Sequence, residues 1–335
     1  MKMANQPKRI ILAVDLKAED VSLTQRIWKA VKPLVKAGTV VEPVTVLNRE
    51  DAIIGGFLKN QIGSLRQATE KHLAEQLEDL GIHHLATPKV LFADGPSTQR
   101  AVLTLLNYAK KTDCDLIAVS SHARQGIKRL FLGSFAETLS LQSPVPLLVV
   151  NPKQRRAPSF SNILFPTDFS EESKQGLELV SEVFRNQKAK ITLFHTFESP
   201  TPFYVEPFSA YPPALSMVEE DLQGKMKLGQ AWCVEFRKKG ITCDFLMDRK
   251  SGFAVSGVLR AIKQKKIGLV AMASHTGKVT AALLGSTTRE VLRSAPCPVW
   301  VVHPDRRQKQ TKVLHLKKRS EDAAPRPRLR VSGGA

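Results

Sequence analysis

The chain has 335 residues and a formal net charge of +19, with 42% hydrophobic and 24% charged residues. This composition is typical of a folded globular protein, and the length favours two domains of about 150 residues. No apolar run approaches the roughly 20 residues of a membrane span, and the first residues lack the apolar core of a signal peptide. We therefore expect a cytoplasmic protein that does not contact membranes.

Short β-branched runs alternate with helical patterns along the whole chain, which is typical of βαβ units and a parallel sheet. Because these runs are almost continuously apolar, helices should cover both faces of the sheet. We predict an α/β fold of two tandem doubly wound domains, each with a five-stranded parallel sheet in the order 3-2-1-4-5. The predicted strands are IILAV, VEPVTVL, KVLFA, LIAVSS and PLLVV in the first half, and ILFPT, ITLFHTF, CDFLMD, LVAMAS and PVWVV in the second.

Two apolar stripes at helical spacing precede glycines that are expected to end their helices, Gly81 and Gly240. These stripes predict core positions rather than a cofactor site. Their members are Leu73, Leu77 and Leu80 in the first half, and Leu222, Met226, Cys233 and Phe236 in the second.

The segment 198–215 is rich in proline and carries four aromatic residues. Its prolines predict an irregular loop. A lid over the second domain, a partner surface and a decorated surface loop are the alternatives for its role.

The second half of the chain repeats the first. RIILAVDLKAED recurs as NILFPTDFSEES, so Asp15 corresponds to Asp168, 153 residues later. Gly133 corresponds to Gly285 at a separation of 152, because the second copy is one residue shorter before its Gly-Ser pair. We predict domains at 8–151 and 160–303, joined by a polar linker that contains proline, and a disordered basic tail at 304–335.

The tail 304–335 carries ten Lys or Arg and three Asp or Glu, and so supplies +7 of the net charge. Few apolar anchors and scattered proline and glycine predict disorder. A solvated tail and loose contact with nucleic acid or an anionic surface are the two interpretations. We expect no nucleic-acid binding elsewhere in the chain.

Cysteine and histidine give no pattern of a metal or catalytic site. The four cysteines include no C-x-x-C pair, so we expect buried thiols rather than disulfides or a zinc site. His122 and His275 recur at matching positions, but neither has a second ligand or a nucleophile at a suitable spacing. We predict that these histidines order their loops.

A ligand site is expected where the strand order reverses, beyond the carboxyl ends of the first and fourth strands. In the first copy Asp15 and the segment 120–123 follow these strands, and in the second copy Asp168 and the segment 273–276 do. A carboxylate there could accept hydrogen bonds from ribose hydroxyls or from backbone amides. Capping of the following helix explains the aspartates equally well.

The pairs Gly133-Ser134 and Gly285-Ser286 precede helical patterns, so their backbone amides and the helix dipole could hold a phosphate. A capping box is the alternative, formed by Ser134 with Glu137 in the first copy and by Thr287 with Glu290 in the second. The motifs leave both interpretations open.

Strands ending in V-D or T-D-F-S, followed by S-H-x-x-x-G in the first copy and by L-x-G-S and a final P-V-x-V-V strand in the second, resemble the universal stress protein family. The resemblance covers nearly all of residues 8 to 303, once in each copy. In the members that bind ATP, the pocket motif is G-x-x-G, nine residues and then G-[S/T]. In the first copy Ser120 and Ala123 replace the first two glycines. In the second copy Ala273 and Thr276 replace them, and only eight residues separate Thr276 from Gly285. If the backbone at such a position needs a positive φ, a residue other than glycine there would be less stable by about 1 kcal/mol or more.

The resemblance implies a tandem universal stress protein that has no catalytic turnover and whose nucleotide pockets have degenerated. Its role would be regulatory or protective during stress, through protein partners not identified by the sequence. It also implies pairing of the two copies through PLLVV and PVWVV, with a homodimer of the fused chain as a further option. The alternative is an ATP-binding member in which nucleotide switches partner binding. ATP would then bind to the first domain through Asp15, Gly133 and Ser134.

Overall fold

The computed structural model describes residues 6–16, 22–48, 61–121, 133–152, 154, 159–197, 212–250, 253–274 and 285–304. Several sequence predictions therefore lie outside the described residues: most of the loop 198–215, the tail beyond residue 304, and the histidines and replaced glycines of the segments 122–132 and 275–284.

The described part of the chain contains ten strands, eight α-helices and two short 3-10 helices. The strands are β1 (Arg9–Ala13), β2 (Val40–Asn48), β3 (Lys89–Ala93), β4 (Leu116–Ser120), β5 (Leu147–Val150), β6 (Asn162–Pro166), β7 (Lys190–Thr196), β8 (Thr242–Asp248), β9 (Leu269–Ala273) and β10 (Val299–Val302). The helices are α1 (Ser22–Val31), α2 (Ile62–Asp79), α3 (Thr98–Lys111), α4 (Ser134–Gln142), α5 (Glu171–Phe184), α6 (Pro212–Lys238), α7 (Ala254–Gln264) and α8 (Ser286–Ser294).

All ten strands form one sheet in the order β3-β2-β1-β4-β5-β10-β9-β6-β7-β8. Within each copy the strands are parallel and follow the predicted order 3-2-1-4-5, which confirms the fold class. The copies meet at β5 and β10, which pair antiparallel, with Trp300 opposite Leu148 and Val301 opposite Leu147. These are the two strands to which the resemblance assigned the pairing of the copies.

The core lies in two layers, one on each face of the sheet. The first layer buries apolar side chains of α1, α2, α5 and α6, such as Ile27, Leu73 and Phe236. The second buries side chains of α3, α4, α7 and α8, such as Leu105 and Ile262. Helices thus cover both faces of the sheet, as the continuous apolar strands predicted.

The two glycines that were predicted to end helices do so, whereas the prediction of an irregular segment at 198–215 is partly wrong. Gly81 and Gly240 have φ values of +68° and +81° just after α2 and α6, a conformation that side chains other than glycine rarely adopt. The predicted irregular segment 198–215 ends earlier than expected, because α6 begins at Pro212. Proline is compatible with the first turn of a helix, where its missing N–H would have no partner within the helix.

Polar contacts across the β5–β10 junction come in pairs of equivalent positions. Asn151, after β5, donates from Nδ2 to the carbonyl oxygens of Leu292 and Arg293 at 3.1 and 2.6 Å. His303, after β10, donates from Nε2 to the carbonyl oxygen of Ser140 at 2.6 Å. His303 follows Asn151 by 152 residues, and Leu292 follows Ser140 by the same number. The junction therefore has approximate two-fold symmetry.

Two residues at equivalent positions of the copies contact each other near this approximate axis. Glu137 of α4 and Arg289 of α8 are also 152 residues apart, and their Oε1 and Nε atoms lie 2.7 Å from each other. Two first domains paired in the same way would bring two glutamates together, and two second domains would bring two arginines together. The opposite charges therefore favour the pairing of one copy with the other.

Charge reversal tests this contact. We expect Glu137→Arg to lower the free energy of unfolding by about 1 kcal/mol, because both side chains are partly exposed and solvent screens the repulsion. Adding Arg289→Glu should restore most of the loss, as measured by urea unfolding. The reversal Glu220→Arg, at an exposed position of α6, is the control for the change in net charge. Equal losses in Glu137→Arg and Glu220→Arg would contradict this role of the pair.

Candidate functional site

The expected site lies at the carboxyl edge of the sheet, at one place in each copy. β1 pairs in parallel with β4, and β6 pairs in parallel with β9. Asp15 therefore shares an edge with Ser120, and Asp168 shares the equivalent edge with Ala273. Both aspartates are exposed. The structure thus places these four predicted residues at the point where the strand order reverses.

In the second copy the carboxylate of Asp168 is bonded to the start of its own helix. Its Oδ1 atom accepts hydrogen bonds from the backbone N–H and the hydroxyl of Ser170, at 3.0 and 2.7 Å, and from the hydroxyl of Ser173 at 2.6 Å. Ser170 is the N-cap of α5 and accepts from the N–H of Ser173. Asp168 therefore stabilises the helix start, where a negative charge is favourable, although Ser170 is the cap itself.

An aromatic cluster packs next to Asp168. Phe169 has a φ of +64°, unusual for a residue other than glycine, and its N–H donates to Thr167 Oγ1. Its ring contacts the rings of His195, Trp232 and Phe245, with centroids 5.1 to 5.8 Å apart. The cluster fixes the backbone beside Asp168 by packing three elements of the second copy, β7, β8 and α6, against one residue.

His195 is held in this cluster by a hydrogen bond as well as by its ring contact. Its Nδ1 atom lies 2.8 Å from the carbonyl oxygen of Thr167 and donates to it. Among the described residues, no group of three or more His, Cys, Asp or Glu side chains could hold a metal ion.

The first copy has no serine at the positions equivalent to Ser170 and Ser173. At the positions equivalent to Ser170 and Ser173 the first copy has Lys17 and Asp20. Asp15 therefore cannot have the same pair of serine hydroxyls as partners. The two aspartates are equivalent in position and different in chemical setting.

Ser120 and Ala273 stand where the family motif has glycine, and both side chains are buried in the core. Ser120 is 5% exposed and Ala273 is 8% exposed. A Cβ atom built on Gly176 of α5 would lie 2.6 Å from the Cβ of Ala273, so this methyl group faces α5. Neither residue has a positive φ. The backbone strain considered from the sequence therefore does not arise at these two positions. Ala123 and Thr276 lie outside the described residues.

The Gly-Ser pairs begin their helices differently from the capping-box prediction. Gly133 and Gly285 are the N-caps, and Ser134 and Ser286 are the first residues of α4 and α8. Ser134 lies 3.3 Å from the hydroxyl of Thr98, and Glu137 contacts Arg289 instead of reaching back to the cap. The capping-box interpretation of Ser134 and Glu137, one of the two left open by the sequence, is wrong, because the cap lies one residue earlier, at a glycine without a side chain.

The second capping box is absent for the same reason. With Gly285 as N-cap, Thr287 lies inside the first turn of α8, and Glu290 bonds to Arg293 and Ser294. Both glycines thus occupy the place where an ordinary cap would supply a side-chain oxygen.

A half-buried ion pair at the end of β8 was missed by the sequence analysis. The Oδ2 atom of Asp248 lies 2.6 Å from Nη2 of Arg260 on α7, and its Oδ1 atom accepts from the N–H of Lys250. A Cβ on Gly257 would lie 2.7 Å from Asp248 Oδ2. The only sequence signal was a glycine inside a helical pattern, which can mark a close approach.

The comparisons with known proteins agree with this architecture. The model of the universal stress protein family matches residues 7–151 and, a second time, residues 159–303. The chain belongs to the universal stress protein family. The two matches correspond to the two halves of the ten-stranded sheet, so the protein is a tandem member. No curated protein matches it at a significant level.

Solved structures share the tandem fold at low identity. A universal stress protein from Archaeoglobus fulgidus is 20% identical, with a TM-score of 0.57 over 90% of this chain and 99% of its own length. A functionally unknown protein from Pseudomonas aeruginosa is 15% identical, with a TM-score of 0.60 over 95% of this chain and 99% of its own. At these identities the likeness concerns the fold.

None of the helices in the described residues is long and apolar enough to cross a membrane.

Proposed function

We propose that this universal stress protein is a non-catalytic regulatory or protective protein of the cytoplasm that acts by binding partners, and that its second domain is structural. The observation that carries the proposal is the hydrogen bonding of Asp168. Three donors from Ser170 and Ser173 already occupy the Oδ1 atom of this carboxylate. A ribose would have to compete with the start of α5 for its main acceptor.

Two further features of the second copy support this proposal. The packing of Phe169 against three other rings holds the segment after β6 in one conformation. The segment from His275 to Gly285 is one residue shorter than its first-copy counterpart, so a phosphate loop of the family's length cannot form.

The second candidate is ATP binding in the first domain, with nucleotide occupancy switching partner binding. The first copy keeps the spacing of nine residues before Gly133 that the family's motif has. Its helix α4 begins after a glycine, so a phosphate at this helix start would meet no capping side chain of that residue. Lys128 and Arg129 are close in sequence to Gly133 and Ser134.

Isothermal titration calorimetry of ATP into the full chain distinguishes the two candidates. We expect no binding in the micromolar range, because both copies have lost the first two glycines of the family's motif. Micromolar binding that is abolished by Asp15→Ala and by Gly133→Val would instead establish the second candidate. The matched controls are Asp168→Ala and Gly285→Val, which change the equivalent residues of the second copy.

A further inference from the structure

Two cysteines of the second domain lie in contact across the α6–β8 packing. Cys233 is on α6 and Cys243 is on β8, and their Sγ atoms are 3.1 Å apart. Both are free thiols, with exposed fractions of 2% and 1%. A disulfide bond is about 2.05 Å long, so the sulfur atoms need to approach by about 1 Å to become bonded.

We propose that Cys233 and Cys243 form a reversible disulfide when the protein meets a peroxide, and that this site responds to oxidation independently of any nucleotide. The remaining cysteines, Cys114 and Cys297, are also buried and free. Cys114 donates from its Sγ atom to the carbonyl oxygen of Leu116. The sulfur contact across α6 and β8 distinguishes the Cys233–Cys243 pair from these two.

The reaction proceeds in two balanced steps. The thiolate of Cys233 attacks one oxygen of hydrogen peroxide, the O–O bond breaks, and Cys233 becomes a sulfenic acid while hydroxide leaves and takes up a proton. The sulfur of Cys243 then attacks the sulfenic sulfur, the S–O bond breaks, and water leaves. In total the two thiols lose two electrons and two protons, and one peroxide becomes two waters.

The surroundings of the pair favour Cys233 as the attacking group. A hydrogen bond from Cys243 lowers the pKa of the Cys233 thiol against the opposing effect of burial, and the positive charge of Arg237 favours the thiolate form of both cysteines. The same hydrogen bond raises the pKa of Cys243 while Cys233 is a thiolate, so Cys233 loses its proton first. This effect on Cys243 ends when Cys233 becomes a neutral sulfenic acid. Arg237 is fixed beside the pair, because its Nε atom donates to the carbonyl oxygen of Cys243 at 2.7 Å. Thiolate is the reactive form of cysteine.

The position of the pair gives a peroxide a route to it. β8 is the last strand of the sheet in the described part of the chain, where β7 is its pairing partner. Local opening of such an edge exposes the sulfur atoms without unfolding of the domain. The new bond would tie α6 to β8 and would lie one residue from Trp232, whose ring contacts Phe169 beside Asp168.

Peptide mapping of the full-length protein tests the proposal directly. The chain is treated with hydrogen peroxide, blocked with an alkylating reagent under denaturing conditions and digested without reductant. We expect a linked peptide that contains Cys233 and Cys243, while Cys114 and Cys297 are recovered alkylated. The number of titratable thiols should fall from the four of the reduced chain to two, and dithiothreitol should restore all four.

Single substitutions provide the controls. Cys243→Ser should stop the linkage and leave Cys233 as a sulfenic acid that a dimedone probe captures, whereas Cys297→Ser should leave the linkage unchanged. Recovery of Cys233 and Cys243 as free thiols from the oxidised wild-type chain would overturn the proposal, as would a stable sulfenic or sulfinic acid on Cys233 without a link. The peptide map of the wild-type chain tests the proposal by itself, so the test does not depend on whether a variant folds. The calorimetric result with ATP does not affect it.

Discussion

Replacing Trp300 with alanine is expected to lower the free energy of unfolding by about 3–5 kcal/mol, the cost of removing a large aromatic side chain from a core. Trp300 is 1% exposed and lies opposite Leu148 in the ladder between the two copies. Its ring packs edge to face on Phe184, with centroids 5.2 Å apart. Because β10 joins the two halves of one sheet, the loss should weaken both copies.

The variant Trp300→Phe shows how much of this effect comes from packing. The Nε1 atom of Trp300 is buried and has no hydrogen-bond partner among the described residues, so phenylalanine removes volume without breaking a hydrogen bond. We expect Trp300→Phe to cost clearly less than Trp300→Ala. Denaturant unfolding followed by circular dichroism measures both. Equal stability of Trp300→Ala and the wild type would contradict the structural role of the junction.

Replacing Gly176 with alanine is expected to cost about 1–3 kcal/mol, as for an added methyl group in a well-packed core. Alanine is the better residue inside a helix by about 1 kcal/mol, so helix propensity alone predicts the opposite sign. Steric overlap should win, because the new Cβ would lie 2.6 Å from the Cβ of Ala273 and 3.4 Å from its Cα atom. α5 or the end of β9 would have to move.

The double variant Gly176→Ala with Ala273→Gly moves the methyl group from the strand to the helix, and we expect it to regain most of the lost stability. Ala273→Gly alone should be mildly destabilising, because it removes a buried methyl group. Gly224→Ala on α6 is the matched control: a Cβ there meets nothing within 4 Å, so we expect a gain of about 0.5–1 kcal/mol. Additive effects of Gly176→Ala and Ala273→Gly would contradict the contact.

The sequence was sufficient to predict the fold because strand burial and the internal repeat do not depend on tertiary detail. All ten apolar runs became strands, and their order followed from the α/β pattern and the family resemblance. The start of α6 was predicted too late because prolines suggest a loop, whereas Pro212 lies in the first turn of a helix.

The sequence predicted where the site residues lie more successfully than it predicted their contacts. The position of Asp168 after β6 followed from the repeat, but its bonds to Ser170 and Ser173 depend on how the chain turns after Phe169. The direction of the Ala273 methyl group depends on which face of β9 it occupies, which the motif does not give. The contact between Glu137 and Arg289 joins residues 152 positions apart, and only the pairing of the copies brings them together.

The most direct test of the structural role of the second domain is native mass spectrometry of the Asp15→Ala chain in ATP. This substitution removes the one carboxylate that the second candidate needs and leaves the second copy unchanged. The account predicts that the variant carries no ATP, because Asp168 is bonded to the start of α5 and the following phosphate loop is short. One ATP for each Asp15→Ala chain, lost again on adding Asp168→Ala, would contradict it.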